Sequence, residues 1–171
     1  SLYIGDFDIS TSGNNPVLSY TSYRPTNCNY ESADFYSGKD FNIAINNYRQ
    51  GNCGTFFDAS ITAWDYNYNI AWQYTLGGQK NDIIKSIKRK PDNSFLALGH
   101  SNSKQSTTNL LLLSLDSLGR YQNIYNLPDS INQSYANDLE IDSNGNIYIL
   151  WNKSNLLHLT KLDTSYNEKW Q

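Results

Sequence analysis

"FLALG" at residues 95–99 and "LLLLSL" at 110–115 are two short apolar runs in an otherwise polar chain. A strand with one solvated face alternates apolar and polar residues. These runs do not alternate, so both faces of both strands need cover. Turn chemistry surrounds them, with Pro91-Asp92-Asn93 on one side and Ser117-Leu118-Gly119 on the other. The spacing predicts four antiparallel strands near 83–90, 94–100, 109–116 and 120–126, in a sheet sandwiched between neighbours.

The same pattern recurs elsewhere. "DFDISTSGNNPVLSY" from Asp6, "SIKRKPDNSFLALGH" from Ser86 and "DLEIDSNGNIYILWN" from Asp138 align without gaps. So do "ASITAWDYNYNIAWQ" ending at Gln73, "LLLSLDSLGRYQNIY" ending at Tyr125 and "LHLTKLDTSYNEKWQ" ending at Gln171. In the second set Asp65, Asp116 and Asp163 coincide, and Trp72 and Trp170 each fall seven residues after their aspartate. The shift from the second unit to the third is about 50 residues, a period typical of stacked four-stranded sheets. On this alignment residues 23–54 are an insertion into the first unit. The expected fold is all-β and β-propeller-like, with three four-stranded antiparallel blades. Blade one covers 1–76 including the insertion, blade two 77–128 and blade three 129–171.

Composition agrees with this class. The chain has 171 residues, 14 tyrosines, 4 tryptophans and a net charge of −3, a mixture that favours strands and turns. Apart from Lys85, Lys88, Arg89 and Lys90 the basic residues are scattered, which speaks against a nucleic-acid partner. No apolar run reaches the ~18 residues of a membrane span.

"NIAWQYTLGGQKNDIIKSI" at 69–87 sets Trp72, Gly77-Gly78 and Asp82 at short fixed spacings. The glycine pair lacks the Lys-Ser/Thr of a phosphate loop and precedes a strand. It reads as a corner between blades, turning with positive φ. This W-x4-G-G-x3-D string resembles the repeats of secreted β-propeller proteins abundant in Bacteroidetes. Leu115-Asp116, Leu162-Asp163 and Asn144-Gly145-Asn146 match the same repeats, while Pro91-Asp92-Asn93 stands where they carry a glycine hairpin. The resemblance implies an extracellular or cell-surface location and a propeller-like fold.

Candidate chemistry is sparse. The loop at 142–146 has Ile147 and Lys153 where an EF-hand calcium loop needs Gly and Glu, so Asn144-Gly145 reads as a type I′ hairpin turn. The aspartates at 65, 116 and 163 read as acceptors in Asx turns. His158 replaces Leu111 of the preceding unit within a strand, and His100 ends a strand in an exposed setting. Neither a catalytic set nor a metal or cofactor site is expected. Cys28 and Cys53 lie at no zinc-ligand spacing and are expected to form a disulfide closing the insertion. Within it Tyr30, Phe35, Tyr36 and Tyr48 are the candidate ligand-binding residues, rigid rings suited to protein or glycan.

The function expected is therefore a non-catalytic binding or scaffold module. Its end blades are expected to be covered by further repeats of the same polypeptide or by another chain. The alternative is a fragment of a propeller-type hydrolase acting on carbohydrate.

Overall fold

The computed structural model describes residues 8–12, 15–19, 30–39, 41–49, 55–67, 69–103, 108–127 and 134–171. They form an all-β structure containing three four-stranded antiparallel sheets. The first sheet is β3 (Tyr30–Ser37), β4 (Asn42–Arg49), β5 (Phe57–Trp64) and β6 (Ile70–Leu76). The second is β7 (Asp82–Arg89), β8 (Phe95–Ser101), β9 (Asn109–Leu115) and β10 (Tyr121–Asn126). The third is β11 (Ser134–Ile141), β12 (Ile147–Lys153), β13 (Leu156–Leu162) and β14 (Glu168–Trp170). Strands neighbour one another in chain order in every sheet. A separate hairpin pairs β1 (Asp8–Ser12) with β2 (Asn15–Ser19). Among the described residues no helix is long and apolar enough to cross a membrane.

The middle sheet is buried on both faces, as its apolar runs require. Phe95, Ala97, Leu113 and Leu115 pack against Ile43, Ile45, Ile61 and Ala63 of the first sheet. Leu96, Leu98, Leu110 and Leu112 pack against Leu139, Ile149, Trp151 and Leu162 of the third. Each leucine, isoleucine or phenylalanine among them contributes about 1.5–3 kcal/mol on full burial. The stacking geometry repeats: β7 packs across β3, β4 and β5, and β11 packs across β7, β8 and β9.

One feature of the first unit departs from expectation. Residues 30–49 supply β3 and β4, the first two strands of its sheet, so 23–54 is not an insertion into a blade built from residues 6–20. β4 buries Ile43, Ile45 and Asn47 by simple alternation, so this stretch is a core strand of the sheet and not an added hairpin. Each first strand carries a β-bulge at the same place, after Ser32, Ile84 and Ala136, and these positions step by 52 residues each time. Such a bulge breaks the ladder locally and adds twist to the strand.

Hairpin turns are equally regular. Main-chain N–H groups of Asp65, Lys90, Asp116, Asp142 and Asp163 donate to the carbonyls of Asn69, Ser94, Arg120, Asn146 and Asn167. Within these turns Asn93, Gly119, Gly145 and Tyr166 have positive φ. A type I′ turn would need two consecutive left-handed residues, and Asn144 is not one of them, so the expected I′ turn at Asn144-Gly145 is replaced by this longer form. The consecutive left-handed pair sits instead at Ser154-Asn155, between paired Lys153 and Leu156.

Candidate functional site

The chain leaves β6 at Leu76, passes Gly77-Gly78 and enters β7 at Asp82. Neither glycine has positive φ, contrary to the sequence expectation. At both positions an added side chain would force a neighbour to shift: a Cβ on Gly77 would lie 2.7 Å from the Asp58 carboxylate, and one on Gly78 2.6 Å from Ser103. The close approach frames a cavity of about 270 Å³. Leu76, Leu111 and Ile124 form its apolar wall, and Gln79, Asp82, Ser101, Ser103 and Asn109 its polar one.

Asp82 is 3% exposed. The Ser101 hydroxyl donates to its Oδ1 and the Ser103 hydroxyl to its Oδ2, each at 2.5 Å. Ser103 Oγ in turn accepts the Lys80 main-chain N–H at 3.1 Å. A buried carboxylate needs such partners, and both of its oxygens are engaged. Chemically the arrangement anchors a corner and offers a polar recess. Two-carboxylate glycoside hydrolysis needs carboxyl groups about 5–9.5 Å apart; among the described lining residues Asp82 carries a carboxylate, and that of Asp58 lies behind Gly77.

The aromatic residues singled out from the sequence do not form one shelf. Tyr36 faces the second sheet, edge-on to Phe95 at 5.5 Å, and its hydroxyl accepts from Arg89 Nη1 at 3.3 Å. Phe35 is 48% exposed. It pairs with Ala44, four residues along β4 from Tyr48, a distance of about 13 Å at strand rise. Tyr48 is half-buried, and the Tyr30 backbone pairs with it. The Tyr30 side chain, Cys28 and Cys53 lie outside the described residues.

The repeated aspartates are turn acceptors. Asp65 Oδ1 accepts the N–H groups of Asn67 and Asn69 at 2.8 and 2.9 Å. Asp116 Oδ1 accepts those of Leu118 and Arg120, both at 2.9 Å. Asp163 Oδ1 accepts those of Ser165 and Asn167, also at 2.9 Å. Asp142 in the 142–146 loop does the same with Asn144 and Asn146. The Lys169 ammonium first, then the Asn167 N–H, hold Asp163 well below the usual carboxylate range. For Asp65 the main-chain N–H of Asn69 is the main cause of a lowered pKa.

Two buried polar side chains join the sheets. Asn47 donates through Nδ2 to the Ile84 carbonyl at 2.9 Å and accepts the Ile84 N–H at 3.0 Å. His100, expected to be exposed, is 6% exposed, and its Nδ1 accepts the Ala136 N–H at 3.2 Å. The third sheet has closed over the end of β8. Asp34 adds a further clasp, accepting Ser86 Oγ and the Ile87 N–H, each at 3.0 Å. His158 stacks on Trp151 at 4.3 Å. The joining role of Asn47 was not read from the sequence. A polar residue at an apolar position of an alternating strand, followed 53 residues later by His100, was the available signal.

Among the described residues no three His, Cys, Asp or Glu side chains converge as a metal site. Comparison with known proteins yields no match, either to a family model or to a curated sequence. The class defined by the fold is an all-β, propeller-like stack of four-stranded sheets.

Proposed function

We propose that this chain is a non-catalytic binding or scaffold module of a secreted or cell-surface protein, related to the Bacteroidetes propeller repeats it resembles. The observation that carries the reading is how the repeat's polar side chains are used. Asn47, His100 and Asp34 hold neighbouring sheets together, and the recurring aspartates close turns. Polar groups spent on joining repeats suit a rigid support. The partner is protein or glycan, met by the first sheet through Phe35 and Tyr48, with further repeats or another chain covering the end sheets.

A glycan array probed with the labelled chain and with a Phe35→Ala/Tyr48→Ala double variant tests the contact surface. Binding is expected to fall at least tenfold in the variant at a temperature where circular dichroism shows it to be folded. Equal binding by both proteins removes these rings from the reading. Turnover of a bound oligosaccharide, lost in Asp82→Asn, would favour the carbohydrate hydrolase instead.

A further inference from the structure

The three sheets can be superposed by register alone, through the bulge after Ser32, Ile84 and Ala136. Ile45, Leu98 and Leu150 then share one position on the second strands, each opposite the residue that follows the bulge. Ile61, Leu112 and Leu159 are their cross-strand partners. Ala59, Leu110 and Leu157 form a third set, paired with Asn47, His100 and Asn152. In the first two sheets all three apolar positions are buried, at 0–1% exposure, against the sheet that follows. In the third, Leu157 is 64% and Leu159 45% exposed.

The polar positions repeat too. Asn47 and His100 each hold the main chain of the following sheet's first strand at the residue before its bulge. Asn152 occupies the same place in the third sheet. Trp72 lies over Gly119, in the outer turn of the sheet that follows. Its counterpart Trp170, opposite Lys161 as Trp72 is opposite Ala63, is 45% exposed. The open face thus repeats a surface that is twice covered in this molecule.

We propose that the open face of the third sheet is the docking surface for one more four-stranded sheet of this same kind, carried by the same polypeptide beyond Gln171. Its first strand would lie across β11, β12 and β13 and offer Asn152 a main-chain N–H. Continuity with the two established interfaces favours this source, since in both the covering sheet is the next one along the chain. On the first sheet of a second copy the central far-face positions Ser60, Thr62 and Trp64 are already buried, which leaves Phe35 exposed on that face near its edge. The inference rests on the scaffold part of the proposed function and not on ligand binding, which the Phe35 and Tyr48 substitutions test separately.

Sequencing the coding region past Gln171 is the first test. A bulged strand beginning about 52 residues after Ser134, followed by three more strands, is expected from the period. A stop codon or an unphased sequence there overturns the proposal. The second test places Leu159→Lys and Asn152→Leu in the chain ending at Gln171 and in the naturally extended protein. Both substitutions should leave the melting temperature of the shorter chain within a degree or so and lower that of the extended one by several degrees. Equal effects in the two proteins overturn the proposal. So does a concentration-dependent dimer of the shorter chain that Leu159→Lys abolishes, because the occupant would then be a second copy.

Discussion

His100 and Asn47 occupy the same position in successive sheets and perform the same task with different chemistry. Each accepts a main-chain N–H from the following sheet, His100 from Ala136 and Asn47 from Ile84. The amide is indifferent to pH, whereas the imidazole accepts only while Nδ1 is unprotonated.

Burial first, and the Lys85 charge second, push the His100 imidazole from 6.5 down to about 4. A base whose folded pKa is depressed contributes its full stability above the unfolded value. That contribution is lost as pH falls from about 6.5 towards 4, on the order of 3 kcal/mol in all. Urea unfolding at pH 7 and pH 4.5 should show the fall. His100→Asn, which installs the side chain of the first latch, should flatten it. Parallel pH profiles for the two proteins would refute the assignment.

The turn aspartates act in a different window. Asp65, Asp142 and Asp163 have lowered pKa values from the amide and ammonium donors around them. Their support is therefore complete above the unfolded value near 3.9 and lost only as pH falls below it. Asp163→Ala should lower the melting temperature at pH 7 and lose much of that effect at pH 2.

Asn47→Leu removes both partners of the Ile84 backbone while nearly keeping volume. Two unsatisfied buried main-chain groups at about 1–3 kcal/mol each predict a loss near 3 kcal/mol. The urea midpoint should drop with little change in slope. A loss below about 0.5 kcal/mol would mean that solvent reaches Ile84.

Gly119→Ala and Gly145→Ala separate backbone strain from crowding. Both residues have positive φ, 77° and 81°, which disfavours a Cβ by about 1–2 kcal/mol. At Gly145 the nearest atom, Thr164 Cγ2, is 3.0 Å from the added carbon, whereas at Gly119 the Trp72 ring would be 1.9 Å away. The Gly119 variant should therefore be markedly less stable, with a shift in tryptophan fluorescence that the Gly145 variant lacks.

A disulfide between Cys28 and Cys53 is expected to stabilise the chain by about 3.5 kcal/mol through loss of unfolded-state entropy. Intact mass under non-reducing conditions should be two hydrogens lighter than after reduction. Two alkylatable thiols in the native protein would count against the pairing.

The second and third sheets were legible because the middle strands of the second are apolar on both faces and the turns of both carry Asp, Asn and Gly at fixed offsets. The first was misphased. "DFDISTSG" mimics a first hairpin, while the true first strands hide their core residues among Asn and Tyr. Their bulge, which restores the 52-residue step, leaves no mark in composition. The burial of His100 was not legible either, since the end of a strand does not reveal what closes over it. Nor was the Asp82 cavity, which residues from several strand ends assemble in space. The turn role of the aspartates was readable because an Asx acceptor acts within four residues of itself.

The 52-residue step also constrains how such a chain can grow. A duplication that inserts one whole period places a new bulge, a new latch residue and a new apolar face in register with those on either side. The added sheet is then held from the moment it appears. A slip of a single residue within a strand turns every side chain beyond it to the opposite face, exposing the leucines and burying their polar neighbours. Length variation is consequently tolerated in whole periods or in the links between strands, and a lineage of such proteins would differ in the number of its sheets far more readily than in their size.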